Sequence, residues 1–259
     1  MAGQSRGAFT LVELLVTIAI IGLILSLALP AISGARESAR RARCGSNLRQ
    51  VGLAIGGYQA TFRRLPYGCL EWRSKANPAG RQLAWSAAIL PHLEPAIAES
   101  LNTSLAYDHP ANAQAAAAVI EVYLCPSVVH AAQLRGPSDY GGLYGQRLTT
   151  KRNTDNGVFV YNRSFRPAEV KDGLANTMAV GEDYAGPDSE WINGNNVFEV
   201  AFKLNESQYL MDNELRSRHP GGVMTLFCDG TDRFISESID RPTLAALITR
   251  AGGESAATR

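Results

Sequence analysis

The sequence has almost no excess charge of either sign. Its 259 residues include 25 Lys and Arg and 24 Asp and Glu, which gives a formal net charge of +1. Such a chain has no strong long-range attraction for nucleic acid or for acidic substrates. It also lacks a basic tract interleaved with aromatic residues. We therefore expect no nucleic-acid partner.

Common catalytic motifs are missing as well. The sequence contains no Gly-x-Ser-x-Gly element, no P-loop and no dinucleotide-binding fingerprint. His92, His109 and His130 have no zinc-like spacing to a cysteine. We expect neither an enzyme nor a resident cofactor.

Only one long apolar run is present, and it lies near the N-terminus. No charged residue occurs from Leu14 to Leu29, and with its apolar flanks the run reaches about 20 residues, the length of a membrane-spanning helix. Glu13 lies at its start. A carboxylate at the centre of a membrane helix costs roughly 2.5–3.5 kcal/mol, and less near the ends. The segment therefore predicts a single anchor and leaves Glu13 to be explained.

Three interpretations of this run compete. A secretory signal peptide has an apolar region of about 7–15 residues, which is shorter than this one. The sequence Ser33-Gly34-Ala35 nevertheless offers a weak cleavage site for it. A plain signal anchor explains the length but not Glu13.

The third interpretation explains the acid. The stretch GAFTLVE, from Gly7 to Glu13, closely resembles the type IV prepilin signature. The resemblance implies that a prepilin peptidase removes a short leader on the cytoplasmic side and methylates the new N-terminus. It also implies that subunits stack with a stagger, so that Glu13 of one meets the terminal ammonium of another. Such pairing compensates the buried charge and sets the register.

Two points stay open at this stage. Cleavage after Gly7 leaves Ala8 first, whereas cleavage after Ala8 leaves Phe9 first and puts Glu13 at mature position five. The pairing favours Phe9, and the usual preference for Gly favours Ala8. The second point is topology, because the positive-inside rule alone would put the arginines that follow the anchor in the cytoplasm. These are Arg36, Arg40, Arg41, Arg43 and Arg49, against Arg6 before it.

Periodicity predicts the remaining organisation. Apolar residues at Leu48, Val51 and Ile55, continued by Tyr58 and Phe62, follow steps of three and four and so share one helical face. We predict an α+β, pilin-like fold, in which a long N-terminal helix packs on an antiparallel sheet with a short C-terminal helix. The expected divisions are a leader at 1–8, a transmembrane helix at 9–33, an amphipathic half at 34–62 and a head at 63–259.

Short patterns place the elements of the head. Strands are predicted at Val119–Leu124, Gly157–Tyr161, Thr177–Val180, Val197–Phe202 and Val223–Phe227. The turn Asp229-Gly230 predicts a hairpin that returns through Arg233–Ser236. A terminal helix is predicted over Arg241–Ala251, with Pro242 in its first turn.

The resemblance continues beyond the anchor. The segments ARRARCGSNLRQVGLAIGGYQATFRRLPYG, YLCPS, VKDGLANTMAVGE and SRHPGGVMTLFCDGTDRFISESID are similar to those of a large family of prepilin-like envelope proteins abundant in planctomycetes. In the last segment nine residues separate His219 from Asp229-Gly230, which is that family's C-terminal element. The family's body is a domain of unknown function, to which a solute-binding label has also been attached.

Candidate site residues follow from these segments. His219, Asp229 and Gly230 are expected to form a structural motif around the hairpin, in preference to a metal or catalytic site. The carboxylates Asp172, Glu182 and Asp183 are weak calcium candidates, because pseudopilins commonly hold calcium in such loops.

Four cysteines allow two disulfides in three connectivities. A bridge between Cys44 and Cys125 would tie the long helix to the head. Cys69 and Cys228 are expected either to pair or to be buried thiols.

Two functions follow as hypotheses. The first is a pilin- or pseudopilin-like structural subunit of a type IV pilus or type II secretion-like system. It would cross the cytoplasmic membrane once, with an extracytoplasmic head, and its partners would be the membrane, a prepilin peptidase and other pilin-like subunits. The alternative is a tethered extracytoplasmic module that binds a solute or carbohydrate on an aromatic platform. The residues of that platform would be Tyr140, Tyr144, Tyr161 and Trp191.

Overall fold

The first element of the fold is a single long helix. The computed structural model describes residues 11–130, 135–150, 155–184, 189–206 and 214–253. Helix α1 spans Leu11–Phe62 and includes Pro30. The chain divides into two compact units, Met1–Arg40 and Arg41–Arg259, and the division lies within α1.

The N-terminal part of α1 is apolar around its whole circumference. By length and composition it could cross a membrane, and none of its most apolar window is buried. Its hydroxyl groups bond to the helix's own carbonyls: Thr17 Oγ1 donates to Glu13 O at 2.6 Å and Ser26 Oγ to Leu23 O at 2.7 Å. Such internal bonds reduce the cost of placing a hydroxyl in an apolar environment.

The later part of α1 has one buried face. Cys44, Leu48, Val51 and Ile55 are buried at steps of four, three and four, as expected for an amphipathic helix. The helix ends after Phe62, where Arg63 takes a left-handed conformation with φ 58°.

Short elements connect α1 to the main sheet. Strands β1 (Cys69–Leu70) and β2 (Leu83–Ala84) pair antiparallel. Three short helices follow, α2 (Trp85–Leu93), α3 (Pro95–Ser100) and α4 (Ala113–Ala116).

Among the described residues, the main sheet has five strands in the order β5–β3–β4–β6–β7. The strands are β3 (Tyr140–Gln146), β4 (Met178–Glu182), β5 (Val197–Val200), β6 (Gly222–Phe227) and β7 (Asp232–Ser236). Three of the four pairings are antiparallel, whereas β3 and β5 run parallel. The sheet is therefore mixed.

Helices cover both faces of this sheet. Alternate residues of β6 point to opposite faces: Met224 and Leu226 belong to the same core as the buried face of α1. Val223 and Phe227 belong to a second core, which includes the apolar face of α5 (Arg241–Ile248). The head thus has the later part of α1, from Arg41 on, on one face of the sheet and α5 on the other.

The α+β fold, with its long N-terminal helix and short C-terminal helix, is confirmed. The strand predictions at β4, β5, β6 and β7 are also confirmed within a few residues. Among the described residues, the prediction at Val119–Leu124 was wrong, because a 3-10 turn at Glu121–Tyr123 interrupts it.

The strand predicted at Gly157–Tyr161 was also wrong. The N–H groups of Gly157 and Phe159 donate to β3, whereas the carbonyl of Val160 accepts from the N–H of Gly68, so no continuous ladder forms. β3 itself was not predicted, because its sequence YGGLYGQ contains three glycines. The all-antiparallel sheet was wrong for one pair, since the chain from β4 crosses over to place β5 parallel beside β3.

Candidate functional site

Four side chains with metal-binding chemistry meet in the interior of the head. Cys44 comes from α1, Cys125 from the turn after the 3-10 segment, Glu182 from the end of β4, and His219 from the segment before β6. They are 0%, 2%, 1% and 2% exposed, in that order. We call these four residues the buried tetrad.

The donor atoms of the buried tetrad all lie within 4.8 Å of one another. Cys44 Sγ is 3.0 Å from Glu182 Oε1. His219 Nε2 is 3.4 Å from Glu182 Oε1 and 3.4 Å from Cys125 Sγ. The four groups therefore converge on one point.

Local structure places two members of the tetrad, Cys44 and Glu182, at this point. Cys44 lies on the same helical face as Leu48, Val51 and Ile55, which pack on the sheet. Glu182 pairs with Tyr140 in the β3–β4 register, at the end of β4 that faces this part of α1.

A set of neighbouring groups orients the tetrad. The hydroxyl of Tyr140 lies 3.0 Å from Cys44 Sγ. The hydroxyl of Ser127 lies 3.4 Å from His219 Nδ1, and the backbone of Ser127 also hydrogen-bonds the sulfur of Cys125. The N–H of Met224 donates to Glu182 Oε2 at 2.7 Å. Each member thus has a contact that leaves one donor atom directed at the others.

Burial controls the charge of this site. Desolvation raises the pKa of Glu182 to about 8, with the sulfur of Cys125 adding to the effect. The side-chain hydrogen bond with Cys44 lowers the pKa of Cys125, and the contact with His219 acts in the same direction. That same bond with Cys125, together with burial, raises the pKa of Cys44. Negative charge in the tetrad consequently needs a proton or a cation beside it.

A further ionisable pair supports the loop that carries Cys125. Asp139 Oδ2 accepts a hydrogen bond of 2.6 Å from the N–H of Cys125. Its Oδ1 lies 2.9 Å from His130 Nε2. Burial raises the pKa of Asp139 to about 6, against the hydrogen bonds that lower it. The pair fixes the turn and lies beside the tetrad.

His219 and Asp229 are not close together. β6 lies between them, so they stand at opposite ends of a strand. The carboxylate of Asp229 accepts hydrogen bonds from the N–H and hydroxyl of Thr231, at 2.9 and 2.7 Å, and Gly230 has φ 85° in the same turn. Asp229 and Gly230 thus form the hairpin, whereas His219 belongs to the tetrad.

The candidate calcium carboxylates have separate surroundings. Asp172 accepts hydrogen bonds from the N–H groups of Gly252 and Gly253, at 2.7 and 2.9 Å. Glu182 faces the two thiols, and the N–H of Asp183 donates to Asp139 O at 2.9 Å. Within the described ranges, Asp172 and Asp183 belong to no group of three or more potential metal ligands.

The cysteines divide into two kinds. Cys44 and Cys125, which the sequence analysis considered as a possible disulfide, share the tetrad as free thiols. Cys69 and Cys228 are also free and buried, and burial raises the pKa of each. The structure therefore brings Cys44 and Cys125 together without joining their sulfurs.

Sequence spacing could not find the tetrad, because its members come from four distant segments. Each of the four residues nevertheless lies in a segment that resembles the prepilin-like family. These motifs are ARRARCGS, YLCPS, MAVGE and SRHPGG. Considered together, these motifs indicate four potential metal ligands, which the spacing of histidines and cysteines alone does not.

The predicted aromatic platform is not formed as proposed. Tyr140 and Trp191 are 0% exposed, and the Trp191 indole donates to Ala118 O at 2.9 Å. Tyr144 and Tyr161 do contact each other, with ring centroids 4.8 Å apart, and Tyr161 stacks on Trp72 at 5.0 Å. Two of the four predicted residues therefore serve the core.

Glu13, the acid of the N-terminal signature, is an exposed residue in the first turn of α1. The predicted processing residues Gly7, Ala8 and Phe9 lie outside the described residues. Their assignment stays a prediction from sequence.

Comparison with known families decides the classification. A family model described as a protein of unknown function (DUF1559) matches residues 33–210 and 203–242, which together cover most of the chain. This chain belongs to the DUF1559 family. A second model, the prokaryotic N-terminal methylation motif, matches residues 4–29. No curated protein and no solved structure matches the chain.

The methylation motif also confirms the predictions of a pilin-like N-terminus and of a membrane anchor. This DUF1559 protein has the sequence of a type IV pilin-like substrate of a prepilin peptidase, and its apolar N-terminal helix fits a membrane-anchored protein.

Proposed function

We propose that this DUF1559 protein is a structural, non-enzymatic subunit of a pilin- or pseudopilin-like assembly in the cytoplasmic membrane. Its head would lie outside the cytoplasm, and its apolar helix would stack with those of other pilin-like subunits. The observation that carries the proposal is the methylation motif at residues 4–29, which overlaps the start of a helix long enough to span a membrane.

The position of Glu13 supports an assembly role. A carboxylate in the first turn of an apolar helix is favoured by the helix dipole, but it is still costly in lipid. Removal of the leader creates an ammonium group near the membrane surface. In a staggered pair of subunits this ammonium compensates Glu13, and the pairing sets the register between neighbouring helices. A plain tether has no such need for the acid.

The test is an exchange at Glu13 in the native host. Glu13→Gln should lower incorporation into cross-linked oligomers or filaments while membrane insertion stays normal. Glu13→Asp, which keeps the carboxylate, should retain part of the incorporation. Glu99→Gln removes an exposed carboxylate from α3 in the head and serves as the matched control. Normal assembly of Glu13→Gln would contradict the proposal.

The tethered binding module is the less favoured function. Its platform needed Tyr140 and Trp191 at the surface, and both are buried. The smaller stack of exposed Trp72 on half-buried Tyr161 remains. A carbohydrate that shifts the melting temperature of the intact protein, with the shift lost in Trp72→Ala, would restore this alternative.

A further inference from the structure

We propose that the buried tetrad of Cys44, Cys125, Glu182 and His219 binds one zinc ion, which links α1 to the sheet inside the head. The proposal concerns the stability of the head and is independent of the assembly role of Glu13. It rests on the donor set, its spacing and the groups that orient it.

The donor set suits zinc. Two thiolates, one imidazole and one carboxylate are all ligand types that Zn²⁺ takes in proteins, and a set of four fills a tetrahedral shell. Calcium and magnesium prefer shells made of oxygen atoms, and the tetrad supplies only one carboxylate. Sulfur and nitrogen therefore dominate the choice of ion.

The spacing also suits zinc. With zinc–ligand bonds of about 2.0–2.3 Å, neighbouring ligand atoms of a tetrahedral site lie about 3.3–3.8 Å apart. In the tetrad His219 Nε2 lies 3.4 Å from both Cys125 Sγ and Glu182 Oε1, and Cys44 Sγ lies 3.0 Å from Glu182 Oε1. The two distances from His219 are therefore within the required range, and the Cys44–Glu182 distance is shorter than the range, so small side-chain movements would complete the tetrahedron.

The surrounding groups are those expected around a metal site. Zinc-binding histidines commonly use their second ring nitrogen for a hydrogen bond, which fixes the tautomer. Here Ser127 contacts His219 Nδ1 and leaves Nε2 directed at the other three donors. Met224 similarly holds Glu182 Oε2, and Glu182 Oε1 faces Cys44 Sγ and His219 Nε2.

Burial points to a structural ion. All four donors are at most 2% exposed, so a four-coordinate ion there would have no open position for water or substrate. A cation would offset the cost of burying thiolate and carboxylate charge. Because Cys44 is on α1, Glu182 on β4 and His219 in the segment before β6, the ion would join three parts of the head that are far apart in sequence.

The experiment is metal analysis of the full-length protein, solubilised in detergent and purified with its thiols protected. We expect about one zinc ion per chain. Cys125→Ser and His219→Gln should each weaken zinc binding at least ~10-fold. Cys69→Ala removes another buried thiol, outside the tetrad, and should keep the zinc.

A measurement on the unaltered chain covers the case in which a variant does not fold. Replacement of zinc by cobalt(II) should give a thiolate-to-cobalt charge-transfer band, and removal of the metal by a chelator should lower the melting temperature. Wild-type protein that neither contains nor takes up zinc would overturn the proposal. So would zinc that both tetrad variants retain, or a Cys44–Cys125 disulfide in protein alkylated directly in its native membrane.

Discussion

Cys44 Sγ on α1 lies 3.0 Å from Glu182 Oε1 at the end of β4, although 138 residues separate the two in sequence. A thiol on the long helix thus meets a carboxylate of the sheet in a site closed to water. The contact shows that the sheet side of α1 is not only an apolar stripe. A polar group is built into it where the helix crosses the end of β4 and the turn that carries Cys125.

The hydroxyl of Tyr140 gives a prediction about this site. It lies 3.0 Å from Cys44 Sγ, as a neighbour that would hold a sulfur ligand in place. We expect Tyr140→Phe to weaken zinc binding about 10-fold, since loss of such an outer contact typically costs 10–100-fold. Competition with a chromophoric chelator measures the change.

Tyr123→Phe is the matched control for that exchange. Its hydroxyl is also buried, but it donates to Ser86 O at 3.0 Å, away from the tetrad. Both variants lose one buried hydrogen bond, so both should be somewhat less stable. An equal effect of the two variants on zinc affinity would show that the Tyr140 hydroxyl has no specific role in zinc binding.

Replacement of glycine by leucine should have opposite effects on stability at two positions of α1. A Cβ at Gly52 would lie 3.1 Å from Gly230 O and 3.1 Å from Leu226 Cδ1, whereas a Cβ at Gly56 would meet nothing within 4 Å. Gly52→Leu should therefore destabilise the head by about 1–3 kcal/mol through overpacking. Gly56→Leu should be neutral or stabilising by up to about 1 kcal/mol, because leucine favours the helix more than glycine does.

Urea denaturation of the two variants measures these changes. A similar loss of stability in both variants would mean that the close approach of α1 to the β6–β7 turn is not the reason why position 52 excludes a side chain. A stabilised Gly52→Leu would contradict the packing seen between this helix and the hairpin.

Local patterns were sufficient for most of the fold. The steps of three and four that place Leu48, Val51 and Ile55 on one face depend only on helix geometry, and the Asp229-Gly230 turn depends only on its own two residues. β3 could not be predicted in this way. Three of its seven residues are glycine, and its stability comes from neighbours β4 and β5 on either side.

The candidate site was harder to predict for a similar reason. His219 was expected to act with Asp229, because they are close in sequence and share one motif. A six-residue strand carries them apart, and the actual neighbours of His219 come from α1, the Cys125 turn and β4. Side chains that meet only through tertiary contacts leave no spacing for a sequence pattern to detect.

Trp72 and Trp191, two of the three tryptophans, differ in their exposure and so in their expected contribution to stability. Trp191 is 0% exposed and donates to Ala118 O, whereas Trp72 is 39% exposed and stacks on Tyr161. Trp191→Ala should lower the stability of the head by about 3–5 kcal/mol. Trp72→Ala should cost clearly less, because much of its surface is already in water. Chemical denaturation followed by circular dichroism tests both, and equal losses would mean that Trp72 is as important to the core as Trp191.

The N-terminal signature makes the most direct prediction. Mature protein from its native membrane should have lost seven or eight residues and should begin with N-methyl-Ala8 or N-methyl-Phe9. The physical reason is that only leader removal creates an ammonium group close enough, in a staggered neighbour, to compensate Glu13. The pairing geometry favours Phe9, which makes Glu13 the fifth residue.

Intact mass and N-terminal peptide sequencing distinguish the outcomes of this processing. A chain that still starts at Met1 would leave Glu13 without that ammonium and reduce the helix to a plain anchor. A chain that starts near Arg36 would mean that signal peptidase had removed the helix. A Gly7→Leu variant gives the control. If cleavage follows Gly7, this substitution should block processing and methylation together. The unprocessed chain should still enter the membrane, because the apolar run itself is unchanged. If cleavage follows Ala8, the same variant should be processed more nearly as the wild type is, and the identity of the methylated residue then fixes the bond.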